Sequence, residues 1–124
     1  MNFFRTLQSF RDAWNGIKYV FKHEQNFRLQ FFCSILVILV SWFFNLRKSE
    51  WLVVLLLICL IMVLELLNSA VEKFADILKP RLDWQIQTAK DIMAGLVFLA
   101  SLWAILIGLI IFYPYLIEFY QSWW

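Results

Sequence analysis

The chain has few charges for its size. Of its 124 residues, 16% are charged, against 63% hydrophobic and 19% aromatic, whereas soluble globular chains carry about 25% charged residues. That shortage points to a membrane protein of one small domain. A net charge of +2 and the lack of any long basic run argue against nucleic acid as a partner. There are three glycines, too few and too scattered for a Gly-rich phosphate cradle, which excludes a P-loop and a soluble kinase fold. Histidine is nearly absent as well. With His23 alone, His-based zinc sites and Ser-His-Asp machinery have no support. Cys33 and Cys59 both sit in apolar runs and read as small hydrophobes in packed helices. The opening "MNFFRTLQSFRDAW" has neither an apolar core nor a small-residue cleavage site, so no cleavable signal peptide is expected.

What the chain does have is long apolar runs. A membrane-spanning helix needs ~20 mainly apolar residues. Residues 29–46 and 92–117 are uncharged and long enough. The middle span is expected at about 51–70, but its uncharged run stops at Leu64. It reaches a spanning length only by taking in "ELLNSA", which puts Glu65 and Asn68 at or just inside one membrane face. The first residues follow another rule. Phe3, Leu7, Phe10, Trp14, Ile17 and Phe21 recur at spacings of four and three, with polar residues between them. An amphipathic helix over about 3–25, lying in the headgroup plane, accounts for that stripe. Lys and Arg number five before Leu29, two at 45–50, four over 73–90 and none after Ile117. By the positive-inside rule the N-terminus and the 73–91 connection are cytoplasmic. Trp42, Trp51, Tyr113, Tyr115, Tyr120, Trp123 and Trp124 then suit the opposite interface.

The chemistry gathers on the middle helix. At 100° per residue, Glu65, Asn68, Glu72 and Asp76 fall within an arc of ~80° on one face. Glu24, just before the first span, and Lys90 and Asp91, at the start of the third, reach the same level. Converging carboxylates repel unless bridged by a cation, and hard oxygen ligands suit Mg²⁺ with substrate phosphates. Glu65, deeper and less solvated, can serve as a general base for a hydroxyl presented from the bilayer. Together these parts describe metal-assisted phosphoryl transfer. A blander reading also fits the spacing: helix-end charges and interhelical hydrogen bonds in a non-enzymatic scaffold. Asp76 and Lys73 read as ordinary solvated termini. A transporter fits poorly, because its site would lie near the bilayer midplane.

The run "ELLNSAVEKFAD", followed by "AKDIMAGLVFLAS" and preceded by "FKHEQNFR", resembles the small bacterial integral-membrane lipid kinases, the family of prokaryotic diacylglycerol kinase and undecaprenol kinase. The resemblance runs from about Arg5 to about Pro114. It implies an all-α membrane protein of three transmembrane helices plus an N-terminal surface helix. It also implies a homotrimer in the bacterial cytoplasmic membrane, with active sites shared between subunits and ATP as co-substrate. By motif position, Glu65 matches the general base, and Glu24 and Glu72 match the pair that binds the divalent cation on the ATP phosphates. Lys90 and Asp91 match nucleotide contacts, Asn68 the buried asparagine of the core motif, and Arg5 a basic residue near the nucleotide. Gln8 departs from relatives with a basic residue there. The segment "KPRLDWQIQT", read as a loop, lacks a His found in many members, with Asp83 near its place. "IMAGLVF" leans towards the undecaprenol kinases, which makes a polyprenol the favoured acceptor and diacylglycerol the alternative.

Overall fold

In the computed structural model, which describes residues 2–78 and 83–124, the chain is all helix. Its elements are α1 (Phe3–His23), α2 (Gln25–Phe43), α3 (Lys48–Leu78) and α4 (Asp83–Ser122). The last three are long and apolar enough to cross a membrane. At ~1.5 Å per residue, the 31 residues of α3 reach ~46 Å and the 40 of α4 reach ~60 Å. Both exceed a hydrocarbon core of ~30 Å. Both helices are therefore longer than a bilayer's apolar core requires, and their polar residues gather towards the C-terminal half of α3 and the N-terminal part of α4.

α1 and α2 are separated by one residue. Glu24 adopts an extended conformation (φ −109°, ψ 113°) between two helices, closing α1 and opening α2. Arg28 holds this bend: its guanidinium donates to the carbonyl oxygens of Phe21 at 3.0 Å and Lys22 at 2.7 Å. A cation at a helix C-terminus satisfies orphan carbonyls and complements the dipole. At the start of α1, the Asn2 side chain accepts from the Phe4 amide, an N-cap. The apolar stripe of α1, including Phe3, Phe10 and Trp14, faces outward.

α2 ends at Phe43, where Asn45 takes a left-handed conformation (φ 54°), which asparagine tolerates better than most residues. Leu46 then tucks in at 6% exposure. The segment read as a loop before Lys90 is helical from Asp83 onward; residues 79–82 of it lie outside the described residues. Pro114 sits inside α4 without ending it, as membrane helices tolerate.

Few side chains are buried: Phe27, Val54, Ile61, Ala75 and Ile86 form a thin seam along α3. Most large apolar side chains face outward, the expected state of a chain whose solvent is lipid. Cys33 and Cys59 are free and also face outward, not into packed interior.

Candidate functional site

The site forms where the bend at Glu24 meets the polar end of α3. Glu65 is 5% exposed and Ser69, one turn on, 6%. Asn68 and Glu72 are half-buried on the same helix. Glu65 lies close enough to Glu72 and Glu24 for both charges to act on it, Glu72 the more strongly. Acids from α3 and from the α1–α2 bend thus act on one another within one protomer, without closing into a three-acid cluster among the described residues. Glu24 occupies the N-cap position of α2, but its side chain makes no capping hydrogen bond there.

The other expected residues are placed differently. Lys90, on α4, faces Asp76 of α3 at 3.5 Å. Asp91, exposed, accepts from Gln87 Nε2 at 3.0 Å one turn back on its own helix. Arg5 is exposed on α1, 19 positions before Glu24, or ~28 Å along the helix axis. Within one chain Arg5 does not join the acids.

A cleft of about 380 Å³ opens beside the acids, between α1 and α3, with Glu24, Ser69, Tyr19 and Lys73 in its wall. Lys73 Nζ stands 4.8 Å from the Tyr19 ring centroid, and the His23 ring stacks on Tyr19 at 4.1 Å. Sequence reasoning gave Ser69 and Tyr19 no role and read Lys73 as an ordinary solvated terminus. Ser69 and Lys73 are an i, i+4 pair, a signal that was available once the face beside Glu65 was considered. Tyr19 required knowing how α1 crosses α3.

Among the described residues no group of three or more His, Cys, Asp or Glu side chains could alone hold a metal ion. Two carboxylates are a fitting donor set for Mg²⁺, which keeps waters and takes its other ligands from substrate phosphates.

The prokaryotic diacylglycerol kinase family model matches residues 11–112. The chain belongs to that family. A diacylglycerol kinase of Synechocystis sp. (strain ATCC 27184 / PCC 6803 / Kazusa) is 38% identical over 103 residues, covering 82% of this chain and 59% of that protein. An undecaprenol kinase of Bacillus subtilis (strain 168) is 33% identical over 110 residues, 89% of each chain. A diacylglycerol kinase of Haemophilus influenzae (strain ATCC 51907 / DSM 11121 / KW20 / Rd) is 33% identical over 94 residues, 76% of this chain and 80% of its own. The chain thus spans less than two thirds of the Synechocystis protein and most of the other two. All three carry names of phosphotransferases acting on a lipid alcohol, the chemistry expected from the acids of α3. The family match takes in Glu24, Glu65, Glu72, Lys90 and Asp91 and leaves Arg5 outside its bounds.

Proposed function

We propose that this member of the prokaryotic diacylglycerol kinase family transfers the γ-phosphoryl group of ATP to the hydroxyl of a membrane lipid at the cytoplasmic interface, in a Mg²⁺-dependent reaction. The observation that carries the reading is Glu65: a carboxylate at 5% exposure, acted on by two further acids, where the uncharged run of α3 ends. In this reading a Glu65 carboxylate oxygen takes the proton of the lipid hydroxyl as the hydroxyl oxygen attacks the γ-phosphorus, the bond to the β–γ bridging oxygen breaks and ADP leaves. Mg²⁺, when bound, neutralises charge on the nucleotide phosphates. Glu24 and Glu72 hold it, and Asn68 fixes the α3 face between them. Lys90 and Asp91 meet the nucleotide at the polar α3–α4 end.

Arg5 serves a neighbouring subunit in this reading. It is far from the acids of its own chain, which agrees with a homotrimer of shared sites and with α1 lying flat on the membrane. The favoured acceptor is undecaprenol, from the residues after Asp91. Diacylglycerol is the second reading, supported by the printed names of the Synechocystis and Haemophilus relatives.

The test is the purified full chain in mixed micelles with γ-labelled ATP, offered undecaprenol and diacylglycerol side by side, with and without Mg²⁺. Label should enter undecaprenol faster, and chelation should abolish transfer. Glu72→Ala should raise the Mg²⁺ concentration for half-maximal rate about tenfold or more, as loss of one of two carboxylate ligands requires. No transfer to either lipid would favour the scaffold reading.

A further inference from the structure

The α1–α3 cleft contains a cation that neither the family motif nor the reading above uses. Lys73 stands one residue beyond Glu72, so it lies ~100° round the helix and on the face next to the acids. Ser69, one turn back, and Leu66 and Ala70 continue that face along the cleft. Opposite, α1 presents Ala13 and Gly16, and a Cβ built at Gly16 would meet nothing within 4 Å. The groove is open because both helices place small residues there. It is apolar along its length and polar at the end where Glu24 and Lys73 sit.

Lys73 has no carboxylate within ion-pair distance among the described residues. Its ammonium lies against the Tyr19 side chain, hydrogen-bonded to it and 4.8 Å from the ring centroid, while Asp76 and Glu24 act on it only from a distance. A cation–π contact at an exposed site is weak. A phosphate oxygen would outcompete the neutral Tyr19 side chain, since it brings a full opposite charge as well as a hydrogen-bond acceptor. The four-carbon stem lets the ammonium swing without moving α3. An amphiphile with a phosphate end matches this wall: its chain along Leu66 and Ala70, its phosphate at Lys73.

We propose that Lys73 is a phosphate-binding residue, held over Tyr19 at rest and released to pair with a terminal phosphate group at the polar end of the α1–α3 cleft. The inference rests on the kinase reading and adds to it a residue that grips the phosphoryl group before or after transfer. Lys73 moves no proton; it offers N–H donors to phosphate oxygens. Two sources share that chemistry, the terminal phosphate of ATP and the phosphate of the lipid product.

The experiment compares wild type, Lys73→Gln, Lys73→Arg and Tyr19→Leu as full chains in mixed micelles. The wild type is assayed first, so that absence of any lipid phosphorylation overturns the kinase reading itself. With wild type active, KM for Mg-ATP and the inhibition constant of added phosphorylated lipid are measured in each variant. Lys73→Gln should weaken one of the two about tenfold, the loss expected for a hydrogen bond to a charged group. A change in KM for ATP assigns the nucleotide phosphate; a change in product inhibition assigns the lipid phosphate. Lys73→Arg should restore most of the affinity. Tyr19→Leu removes the same resting contact and should lower thermal stability as Lys73→Gln does, yet leave phosphate affinity within about twofold of wild type. If Lys73→Gln leaves both constants unchanged, or Tyr19→Leu alters them equally, the proposal falls and the contact is structural.

Discussion

Of the three glutamates on α3, Glu50 in the first turn and Glu65 just past the middle have contrasting surroundings. Glu50, in the first turn, accepts from the Arg47 amide at 3.0 Å, takes the Arg47 guanidinium at 3.7 Å and accepts the phenol of Tyr115 from α4. Glu65 is the more buried: it is 5% exposed, whereas Glu50 is half-buried. Among the described residues it has no hydrogen-bond donor, and its charged neighbours are acids. One carboxylate is saturated with donors; the other is left open. A carboxylate held in a largely apolar setting beside other acids costs stability, and such costs cluster where a site keeps a group free for chemistry. The two positions therefore separate a glutamate that joins helices from one kept available for a ligand.

Glu65→Gln tests that contrast with the largest expected effect. Lipid phosphorylation should fall by at least about 10²-fold, the usual contribution of a positioned general base. Thermal stability should hold or rise, because a charged group is removed from a buried position without breaking a hydrogen bond. Activity by labelled-phosphate transfer and Tm in the same detergent decide it. A Glu65→Gln variant that keeps full activity removes the base assignment; one that loses both activity and stability makes Glu65 another Glu50.

The Glu50 end gives the middle-sized effect. Tyr115→Phe and Glu50→Gln should each lower Tm, and a double-mutant cycle should show coupling of about 1–2 kcal/mol. Turnover at temperatures where the fold holds should stay near wild type. Non-additive losses in activity would mean that the α3–α4 joint at this end is felt at Glu65, and the division of labour would blur.

How much of this was legible in the sequence depends on whether a feature is local to one helix. The four-three spacing of Phe3 to Phe21 gave the amphipathic helix, and 100° arithmetic put Glu65, Asn68 and Glu72 on one face, where they are found. Both rest on periodicity alone. The pairings across elements did not follow from spacing: Arg28 on the carbonyls of Phe21 and Lys22, Lys90 on Asp76, Tyr115 on Glu50, Lys73 over Tyr19. Each depends on the register between two helices, which the pattern of either one leaves open. The uncharged run read as the first span reaches Leu46, three residues past the end of α2 at Phe43, for a related reason. "FFNL" continues the apolar run, but Asn45 turns the backbone left-handed before the hydrophobicity ends. Hydropathy reads the slab, whereas turn chemistry ends the helix.

The smallest expected effect concerns Asp76, which shares the arc of Glu65 and Glu72 yet belongs with neither glutamate of the comparison. Its side chain is 63% exposed, and its partner Lys90 is 28% exposed at 3.5 Å. Surface pairs of this kind contribute about 0–1 kcal/mol, so Asp76→Asn should leave Tm nearly unchanged. Lys90, relieved of a competing carboxylate, should bind Mg-ATP as well as before or slightly better, with KM lower by no more than about threefold at low salt. That gain should vanish at high ionic strength, where the Debye length falls to about 3 Å at 1 M. A titration of KM against salt for Asp76→Asn and wild type measures it. An Asp76→Asn variant that instead loses turnover as Glu65→Gln does would place Asp76 among the open carboxylates, and a solvated pair between α3 and α4 would have to be read as part of the site.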